Sequence, residues 1–367
     1  MQFILAYISG IFNVQKSITV LLTSIYEENF KKAYTNEKSR DTIVFSIITG
    51  GNSMKKILML GTGGTIACKR GESGLKPLIS SEELLSYVPD AKQFCQADSL
   101  QILNIDSTNM QPKHWLTMAE AIEAHYEEYD GFVICHGTDT MAYTASALSY
   151  MLVNLGKPVV LTGSQVPLSL SNSDARSNLE LAFTIASSGL PGVFVAFGNK
   201  VIKGDCCKKI FTRNFNAFES VNEAPVLFFD KNGIKKNLPD RRNVGGFRVE
   251  SKMEEKVMAL TVTPGLKPDI IDYAVQRGYK GIVLECYGAG GVNTGRDNLL
   301  PAIRRAIKAG VRMVCVSQCL FDGVDLSLYP MGILAAQAGV ESGGPMTLEA
   351  AVTKLMWSLA NPALEKN

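Results

Sequence analysis

Residues Lys55–Ala67 read KKILMLGTGGTIA, and the fold of the chain can be worked out from this stretch. Two lysines lead into a short apolar run that has the length of a buried strand. The run ends in three glycines interleaved with two threonines, and glycine allows a ligand to approach the main chain closely. Open α/β sheets bind ligands at the carboxyl ends of their strands, so we expect Thr62 in a thin loop at such an edge.

A glycine-rich turn after a strand is also typical of a nucleotide phosphate site. Gly61–Gly64 lacks the third glycine of the dinucleotide fingerprint, and no Gly-Lys-Ser/Thr triplet follows it. A second stretch, Gly131–Thr140 (GFVICHGTDT), is another apolar strand that ends in a polar cluster where a helix is predicted. Two strand ends that present threonine, one of them beside an aspartate, favour acyl chemistry with a hydroxyl nucleophile.

These two stretches resemble the signatures of bacterial-type L-asparaginases, in the asparaginase/glutaminase family. The matching residues are Thr62–Ala67 (TGGTIA) and His136–Thr140 (HGTDT). The continuations Met141–Leu148 (MAYTASAL) and Lys157–Gln165 (KPVVLTGSQ) are similar to the cytosolic type I branch. The resemblance runs from about Met54 to the C-terminus, and two long signatures in the right order are a specific match.

The resemblance implies a role for each catalytic position. Thr62 is implied as the nucleophile that forms an acyl-enzyme, although threonine is also a common helix N-cap. Thr138, Lys209 and Asp139 are implied as a relay that moves protons, with Asp139 also holding the substrate α-ammonium. The alternative for Asp139 is a first-turn carboxylate favoured by the helix dipole. The alternative for Lys208 and Lys209 is a solvated basic pair.

Substrate-binding positions are implied in the same way. Ser107 would hold the α-carboxylate and Thr108 would line the pocket, although a Ser/Asn-rich stretch here is also an ordinary turn. Gly61 and Gly137 are implied to contact the substrate through their backbone. Amides near Gly63 and Gly137 are expected to stabilise the oxyanion of the tetrahedral intermediate.

A tyrosine that assists the nucleophile is implied at Tyr329, where a packed amphipathic tyrosine is the alternative. Tyr287–Gly291 follows a predicted strand, and the resemblance implies that it reaches the site of a neighbouring subunit. A homodimer or homotetramer is therefore expected, with L-asparagine as the small-molecule substrate and no metal or organic cofactor.

Composition limits the classes of partner. The net charge is only +2 over 367 residues, which gives no electrostatic reason to expect nucleic acid or an anionic membrane. The eight cysteines include no Cys-x-x-Cys pair, so a zinc site is not expected and a reducing cytoplasm is favoured. Of the three histidines, His136 alone falls in a signature, so a Ser-His-Asp mechanism would depend on it. Lysine is the next candidate base.

Apolar strands alternate with helical periodicity along most of the chain, which predicts a two-domain α/β protein. We expect a larger N-terminal domain at 54–238 with a doubly wound, mostly parallel sheet. A connection at 239–256 and a smaller C-terminal α/β domain at 257–367 follow. Cys68–Pro77 and Lys200–Phe218 are polar stretches without clear periodicity, and both are expected to be loops.

Residues 1–53 do not match the family and are predicted to be an N-terminal extension. Its apolar part is too interrupted by polar residues for a membrane-spanning helix. Thr49-Gly50-Gly51 can be encoded by a purine-rich ribosome-binding sequence, so one hypothesis makes Met54 the natural start and residues 1–53 a leader. The alternative is a disordered or partner-binding extension.

The leading interpretation is a cytoplasmic hydrolase of asparagine catabolism that converts L-asparagine to L-aspartate and ammonia. Two alternatives remain open. One is the amidase subunit of a tRNA-dependent amidotransferase. Such a subunit should have a folded N-terminal domain, which the composition of residues 1–53 does not favour, and the balanced net charge does not favour binding of tRNA. The other is a non-catalytic asparagine sensor on the same fold, against which the intact catalytic positions speak.

Overall fold

The structure is a computed structural model that describes residues 54–71, 74–88, 95–230, 233–238 and 245–364. The predicted extension at 1–53, and residues 239–244 of the predicted connection, lie outside the described residues. None of the helices in the described part of the chain has the length and hydropathy needed to cross a bilayer.

Eighteen strands occur in the described residues. They are β1 (Lys55–Gly63), β2 (Cys68–Gly71), β3 (Gly74–Pro77), β4 (Cys95–Ile105), β5 (Gly131–Cys135), β6 (Leu152–Val153), β7 (Pro158–Thr162), β8 (Gly192–Phe197), β9 (Lys200–Lys203), β10 (Cys207–Lys209), β11 (Phe218–Ser220), β12 (Leu227–Asp230), β13 (Gly233–Lys236), β14 (Arg248–Val249), β15 (Val257–Thr261), β16 (Gly281–Cys286), β17 (Arg312–Ser317) and β18 (Glu341–Ser342).

Eight α-helices connect or cover these strands in the same residues. They are α1 (Ser81–Ser86), α2 (Pro112–Ala124), α3 (Met141–Met151), α4 (Ala175–Ala186), α5 (Asp269–Gln276), α6 (Leu300–Lys308), α7 (Pro330–Gln337) and α8 (Leu348–Ala360). Short 3₁₀ turns lie at Thr65–Ala67, Ser107–Asn109 and Gly204–Cys206.

The larger sheet has eight strands in the order β13-β12-β9-β8-β7-β5-β1-β4. Strands β8, β7, β5, β1 and β4 run parallel to one another, and β9, β12 and β13 extend the β8 edge in antiparallel pairs. The central strand β5 (GFVIC) is buried along its whole length. A parallel strand covered on both faces needs such a continuous apolar run, which explains why the sequence signal was strong here.

The smaller sheet consists of β15-β16-β17-β18, all parallel, and begins at Val257. Helix α8 packs on one face of this sheet through Ala351 and Leu355, which form an apolar cluster with Val283, Val314 and Val316. The Thr347 side chain caps the helix by accepting a hydrogen bond from the Ala350 amide at 3.1 Å. The predicted two-domain α/β fold is thereby confirmed.

Both polar stretches predicted as loops contain strands. Within Cys68–Pro77, β2 and β3 form an antiparallel hairpin, with Cys68 opposite Pro77. Within Lys200–Phe218, β9 joins the large sheet, and β10 pairs with β11 as a separate two-stranded sheet. These strands are short and include many polar residues, so they lack the long apolar runs on which the sequence prediction depended.

Candidate active site

The carboxyl ends of β1, β5 and β7 meet at one edge of the large sheet. Their register places Gly61, Cys135 and Thr162 side by side in a row. The residues that follow this row, beginning with Thr62 and Thr138, therefore converge at the same edge. This is the edge where open parallel sheets bind their ligands.

Three glycines allow these strand ends to approach one another. Gly64 has φ of 77°, and a Cβ at this position would lie 2.4 Å from the Gly137 nitrogen. At Gly137 a Cβ would lie 2.5 Å from the Ser107 hydroxyl oxygen. Gly63, with φ of 100°, packs in the same way against the backbone of Ile105. At Gly63 and Gly64, such close backbone contacts together with a positive φ restrict the position to glycine.

Thr62 lies at an irregularity in the pairing of β1 with β4. Gly61 pairs with Gln101 but Gly63 pairs with Ile105, so the register jumps across Thr62. Irregularities of this kind re-aim a side chain and are common beside active sites. The Thr62 hydroxyl is buried and donates a 2.8 Å hydrogen bond to the Cys135 carbonyl oxygen. The strand runs to Gly63, so Thr62 belongs to it, whereas the sequence predicted a thin loop at this position.

Lys209 joins the second cluster of predicted residues. Its Nζ donates to Thr138 Oγ1 at 2.7 Å and to Asp139 Oδ1 at 2.7 Å. The lysine side chain is only 16% exposed, whereas the Asp139 side chain is 58% exposed. One carboxylate oxygen therefore holds the lysine while the group remains open to a cationic ligand.

Thr138 receives a second partner that the sequence reasoning did not propose. Its hydroxyl lies 3.4 Å from Gln165 Oε1, and Gln165 Nε2 donates to the Asn214 carbonyl oxygen at 3.1 Å. The buried Asp174 carboxylate accepts hydrogen bonds from the backbone amides of Gln165 and Val166 at 3.0 Å. Gln165 follows β7, so its position three residues after a third parallel strand was a signal that could have identified it.

His136 is fixed inside the protein and does not face the cluster. Its Nδ1 bonds the Gly137 carbonyl oxygen at 2.6 Å, and Thr144 Oγ1 lies 2.9 Å from its Nε2. Trp115 Nε1 donates to the same Thr144 hydroxyl at 3.0 Å. Complete burial lowers the pKa of His136 to about 4, so the ring is neutral at physiological pH. Both nitrogens already have structural partners, which excludes His136 as the base of a Ser-His-Asp triad.

Ser107 and Thr108 form a short turn at the end of β4. Ser107 is buried, and its carbonyl oxygen accepts a 2.8 Å hydrogen bond from Thr140 Oγ1. The exposed Thr108 donates its amide and its hydroxyl to Asp106 Oδ1, both at 2.9 Å. Thr140 thus connects this turn to the second signature, and Ser107 lies beside Gly137.

The remaining predicted residues are placed differently. Gly61 is buried within β1, where a Cβ would meet the Gln101 side chain at 2.7 Å. Tyr329 precedes α7, is 60% exposed, and is not among the hydrogen-bond partners of the cluster in the described residues. The Gly64 amide, one of those expected to stabilise an oxyanion, donates to the Ile105 carbonyl oxygen at 3.0 Å and is not available. Roles for Gly61 and Tyr329 stay predictions.

A metal has no evident site near this cluster. Across the described ranges, no group of three or more His, Cys, Asp or Glu side chains is placed to hold a metal ion. The groups that the fold does bring together are two threonine hydroxyls, a lysine ammonium, a carboxylate and a primary amide. Such a set is suited to proton transfer and to attack by a hydroxyl on an acyl carbon.

The chain matches known protein families over most of its length. Residues 56–241 match the family model described as asparaginase, N-terminal, and residues 256–366 match the glutaminase/asparaginase C-terminal domain. The chain is 41% identical to L-asparaginase of Thermococcus kodakarensis over 307 residues, which cover 83% of this chain and 93% of that protein.

Two further relatives span most of the chain. One is a subunit of the glutamyl-tRNA(Gln) amidotransferase of Pyrococcus abyssi, 37% identical over 330 residues, which cover 86% of this chain and 74% of that protein. The other is the crystal structure of L-asparaginase I from Vibrio cholerae. It superposes with a TM-score of 0.75 at 33% identity, covering 84% of this chain and 94% of that one.

Proposed function

The chain belongs to the type I L-asparaginase family of amidohydrolases, and from this we propose that it hydrolyses L-asparagine to L-aspartate and ammonia through an acyl-enzyme on Thr62. One observation carries the proposal. Lys209 bonds both Thr138 and Asp139, at the strand edge that also presents Thr62. Amide hydrolysis without a histidine base needs a hydroxyl nucleophile and another side chain that can transfer protons. Thr62 can supply the first and Lys209 the second.

The first half of the reaction forms an ester. Thr62 Oγ1 attacks the side-chain amide carbon of asparagine, and its proton leaves as the new C–O bond forms. The resting hydroxyl already donates that proton to a carbonyl oxygen, so attack requires reorientation towards a base. We assign the transfer to the Thr138–Lys209 pair, which then delivers a proton to the departing nitrogen so that ammonia can leave.

The second half releases aspartate. A water molecule loses a proton to the same pair and attacks the ester carbon. The C–O bond to Thr62 breaks, and the proton returns to Thr62 Oγ1. Thr138 Oγ1 lies 2.7 Å from Lys209 Nζ, so when that amine is neutral the hydroxyl can donate its proton to Nζ while it accepts one from Thr62 or from water. This arrangement is suited to passing a proton in both half-reactions.

Asp139 and Ser107 are proposed to orient the substrate. The exposed face of the Asp139 carboxylate offers a charge-assisted hydrogen bond to the α-ammonium group. Ser107, next to Gly137, is assigned to the α-carboxylate, and Thr108 lines the opening beside it. Asparagine and glutamine differ by one methylene group, for which discrimination is worth ~1–3 kcal/mol.

The test is ammonia release from L-asparagine by the purified chain, measured beside a Thr62→Ala variant. We expect release by the wild type and its loss in the variant, with a moderate drop in the melting temperature because the variant loses the buried hydrogen bond to the Cys135 carbonyl oxygen. Equal release by both proteins would rule out Thr62 as the nucleophile. A wild type that releases no ammonia but is stabilised by asparagine against heat would point instead to the asparagine sensor.

A second candidate function is the amidase subunit of a tRNA-dependent amidotransferase, because the amidotransferase protein of Pyrococcus abyssi matches at 37% identity. A free amidase subunit would be expected to need its partner and glutamyl-tRNA for full turnover. Steady-state hydrolysis of L-asparagine by the isolated chain, unaffected by added glutamyl-tRNA, would therefore favour the asparaginase.

We propose that the chain assembles as a homodimer or homotetramer. Support comes from exposed apolar side chains concentrated around residues 321–333, namely Phe321, Leu328, Tyr329, Met331 and Ile333. Apolar patches of this kind mark protein interfaces. Analytical ultracentrifugation is expected to give two or four times the mass of the chain. A fully active monomer at the same concentration would contradict the assembly.

We also propose that the protein works in the cytoplasm. All eight cysteines are free, and six of them are buried: Cys68, Cys95, Cys135, Cys207, Cys286 and Cys315. Burial raises the pKa of Cys135 to about 12, which keeps that thiol protonated and unreactive. A reduced, buried thiol is compatible with a reducing compartment. Fractionation of the native host cell is the measurement.

A further inference from the structure

An ion pair connects the strand that carries Lys209 to the smaller domain. Lys208 Nζ donates to both carboxylate oxygens of Glu349, each at 3.1 Å. The two side chains are 28% and 11% exposed, so the pair is largely shielded from water. Lys208 lies on β10 and Glu349 lies in the first turn of α8, 141 residues further along the chain.

Strand β10 is short and lies outside both large sheets. It contains three residues and pairs with β11 alone. Successive side chains of a strand point to opposite faces. Cys207 and Lys209 therefore share one face, where Cys207 is buried in the main core and Lys209 reaches the site. Lys208 points the other way, towards α8. A rotation of the strand that moved one lysine would move the other.

Helix α8 is a firm anchor for this contact. It packs against α3, and Thr353 Oγ1 lies 2.9 Å from Ser146 Oγ at a fully buried point between the two helices. Helix α3 begins at Met141, two residues after Asp139. Helix α8, which holds the partner of Lys208, is thus packed against the helix that directly follows the partners of Lys209.

Glu349 depends on Lys208 for its counter-charge. The nearby Tyr143 hydroxyl has its pKa raised to about 12, first by burial and then by the negative charges of Glu349 and Glu285. The thiol of Cys207 likewise has its pKa raised, first by burial and then by Glu349. These neighbours stay neutral and supply no positive charge. A buried carboxylate that lost its cation would rearrange to reach water.

We propose that Lys208 and Glu349 are positioning residues that fix β10 against α8, so that Lys209 Nζ reaches Thr138 Oγ1 and Asp139 Oδ1 together. The inference rests on the proposed function for its kinetic consequence, but its geometric part is independent of the activity. The smaller domain thereby contributes to the larger domain's proton relay without touching the substrate.

The test compares Lys208→Met, Lys208→Arg, Glu349→Gln and the exchanged double variant Lys208→Glu/Glu349→Lys. We expect Lys208→Met and Glu349→Gln to lower kcat roughly 10- to 100-fold with KM changed much less, because the relay is misplaced by about 1 Å. Lys208→Arg is expected to retain kcat within about threefold. The exchange should restore only part of the loss, since it puts a cation at a helix N-terminus.

Lys267→Met is the control. Lys267 Nζ donates to both carboxylate oxygens of Asp297, at 2.9 Å and 3.0 Å, so this contact has the same two-fold form as that of Lys208 with Glu349. The pair joins the segments that precede α5 and α6 in the smaller domain, whereas the site lies on the larger sheet. Its loss is expected to change the melting temperature little, because the lysine is 61% exposed, and to leave kcat unchanged. All assays are run well below the lowest melting temperature, so that unfolding does not contribute to the kinetic loss.

A crystal structure of Lys208→Met decides the geometric part separately. We expect the Lys209 Nζ to Thr138 Oγ1 distance to exceed 3.5 Å in that variant. An unchanged distance, or an unchanged kcat in Lys208→Met, would overturn the proposal. If the wild type has no asparaginase activity, the proposed function fails, and the variant structure still decides whether Lys208 positions Lys209.

Discussion

Among the single residues of the site, Thr138 has the central position, because its hydroxyl contacts Lys209 on one side and approaches Gln165 on the other. The family resemblance implied that Lys209 meets Thr138 and Asp139, and both contacts are present, whereas composition and periodicity alone did not indicate them. The sequence reasoning did not anticipate Gln165, whose position depends on Asp174 folding the loop after β7. A tertiary hydrogen bond of that kind leaves no periodic signal in a sequence.

Replacing Thr138 by valine preserves its shape and removes its hydroxyl. We expect kcat to fall by about 10²- to 10⁴-fold, the usual contribution of a positioned proton-transfer group. The melting temperature should change little, and steady-state kinetics with L-asparagine is the measurement. Thr117→Val, which removes only an exposed hydroxyl bonded to the Lys113 carbonyl oxygen, is the control. Equal kcat in the two variants would show that Thr138 does not take part in proton transfer.

The lowered pKa of His136 allows a prediction of how the stability of the protein depends on pH. Burial lowers its pKa from 6.5 to about 4, so the unfolded chain binds more protons than the folded protein between these values. The contribution of His136 to the free energy of unfolding is therefore fully present above pH 6.5. It falls by about 3 kcal/mol as the pH drops towards 4. Urea unfolding as a function of pH measures the slope.

The contribution of His136 is isolated by difference. His136→Gln should be less stable at pH 7 and show a flatter decline between pH 6.5 and 4 than the wild type. If His136→Gln declines as steeply as the wild type, carboxylate protonation rather than the buried imidazole causes the loss of stability.

At the scale of elements, the long buried strands were predicted well and the short polar ones were not. Strand β5 carries its own signal because every residue is apolar and buried. Strand β10 is three residues long and includes two lysines, so nothing in its local sequence distinguishes it from a loop. Its conformation depends on pairing with β11 and on contacts with α8, which are tertiary.

The close approach of β1 to the second signature gives a prediction at this scale. Gly64→Ala would place a Cβ 2.4 Å from the Gly137 nitrogen, at a φ of 77°. We expect loss of most activity and a clear drop in melting temperature, because backbone on both sides must move. Gly189 has a similar φ of 68° with no atom within 4 Å of its Cβ position, so Gly189→Ala isolates the dihedral strain.

The control should therefore lose only about 1–2 kcal/mol of unfolding free energy and keep its kcat. Kinetics and thermal unfolding are measured for both glycine variants. The comparison separates the effect of the steric clash with Gly137 from the effect of backbone strain at a positive φ. Matching behaviour of Gly64→Ala and Gly189→Ala would mean that the contact between the two signatures is not needed for the site.

At the scale of the whole molecule, the two-domain α/β organisation followed from the alternation of strands and helices. The order of the strands did not follow from it, because the sequence does not say which strands pair. The family models cover 56–241 and 256–366, so the signatures and all predicted site residues lie after Met54. The boundaries predicted for the domains stay predictions.

A chain that begins at Met54 is expected to keep the kcat and KM of the full chain, because the predicted site uses no residue from 1–53. Steady-state kinetics of the two chains, at equal concentration, is the measurement. A truncated chain that folds, with an unchanged circular dichroism spectrum, but loses activity would show that residues 1–53 contribute to function.

The most direct test of the central proposal is to locate the covalent intermediate. The enzyme is quenched with acid during turnover of L-asparagine, digested, and mapped by mass spectrometry. The proposed mechanism predicts a β-aspartyl ester on Thr62, absent from Thr62→Ala and from enzyme quenched without substrate. An ester on Thr138 instead, or undiminished turnover by Thr62→Ala, would contradict the assignment of Thr62 as the nucleophile.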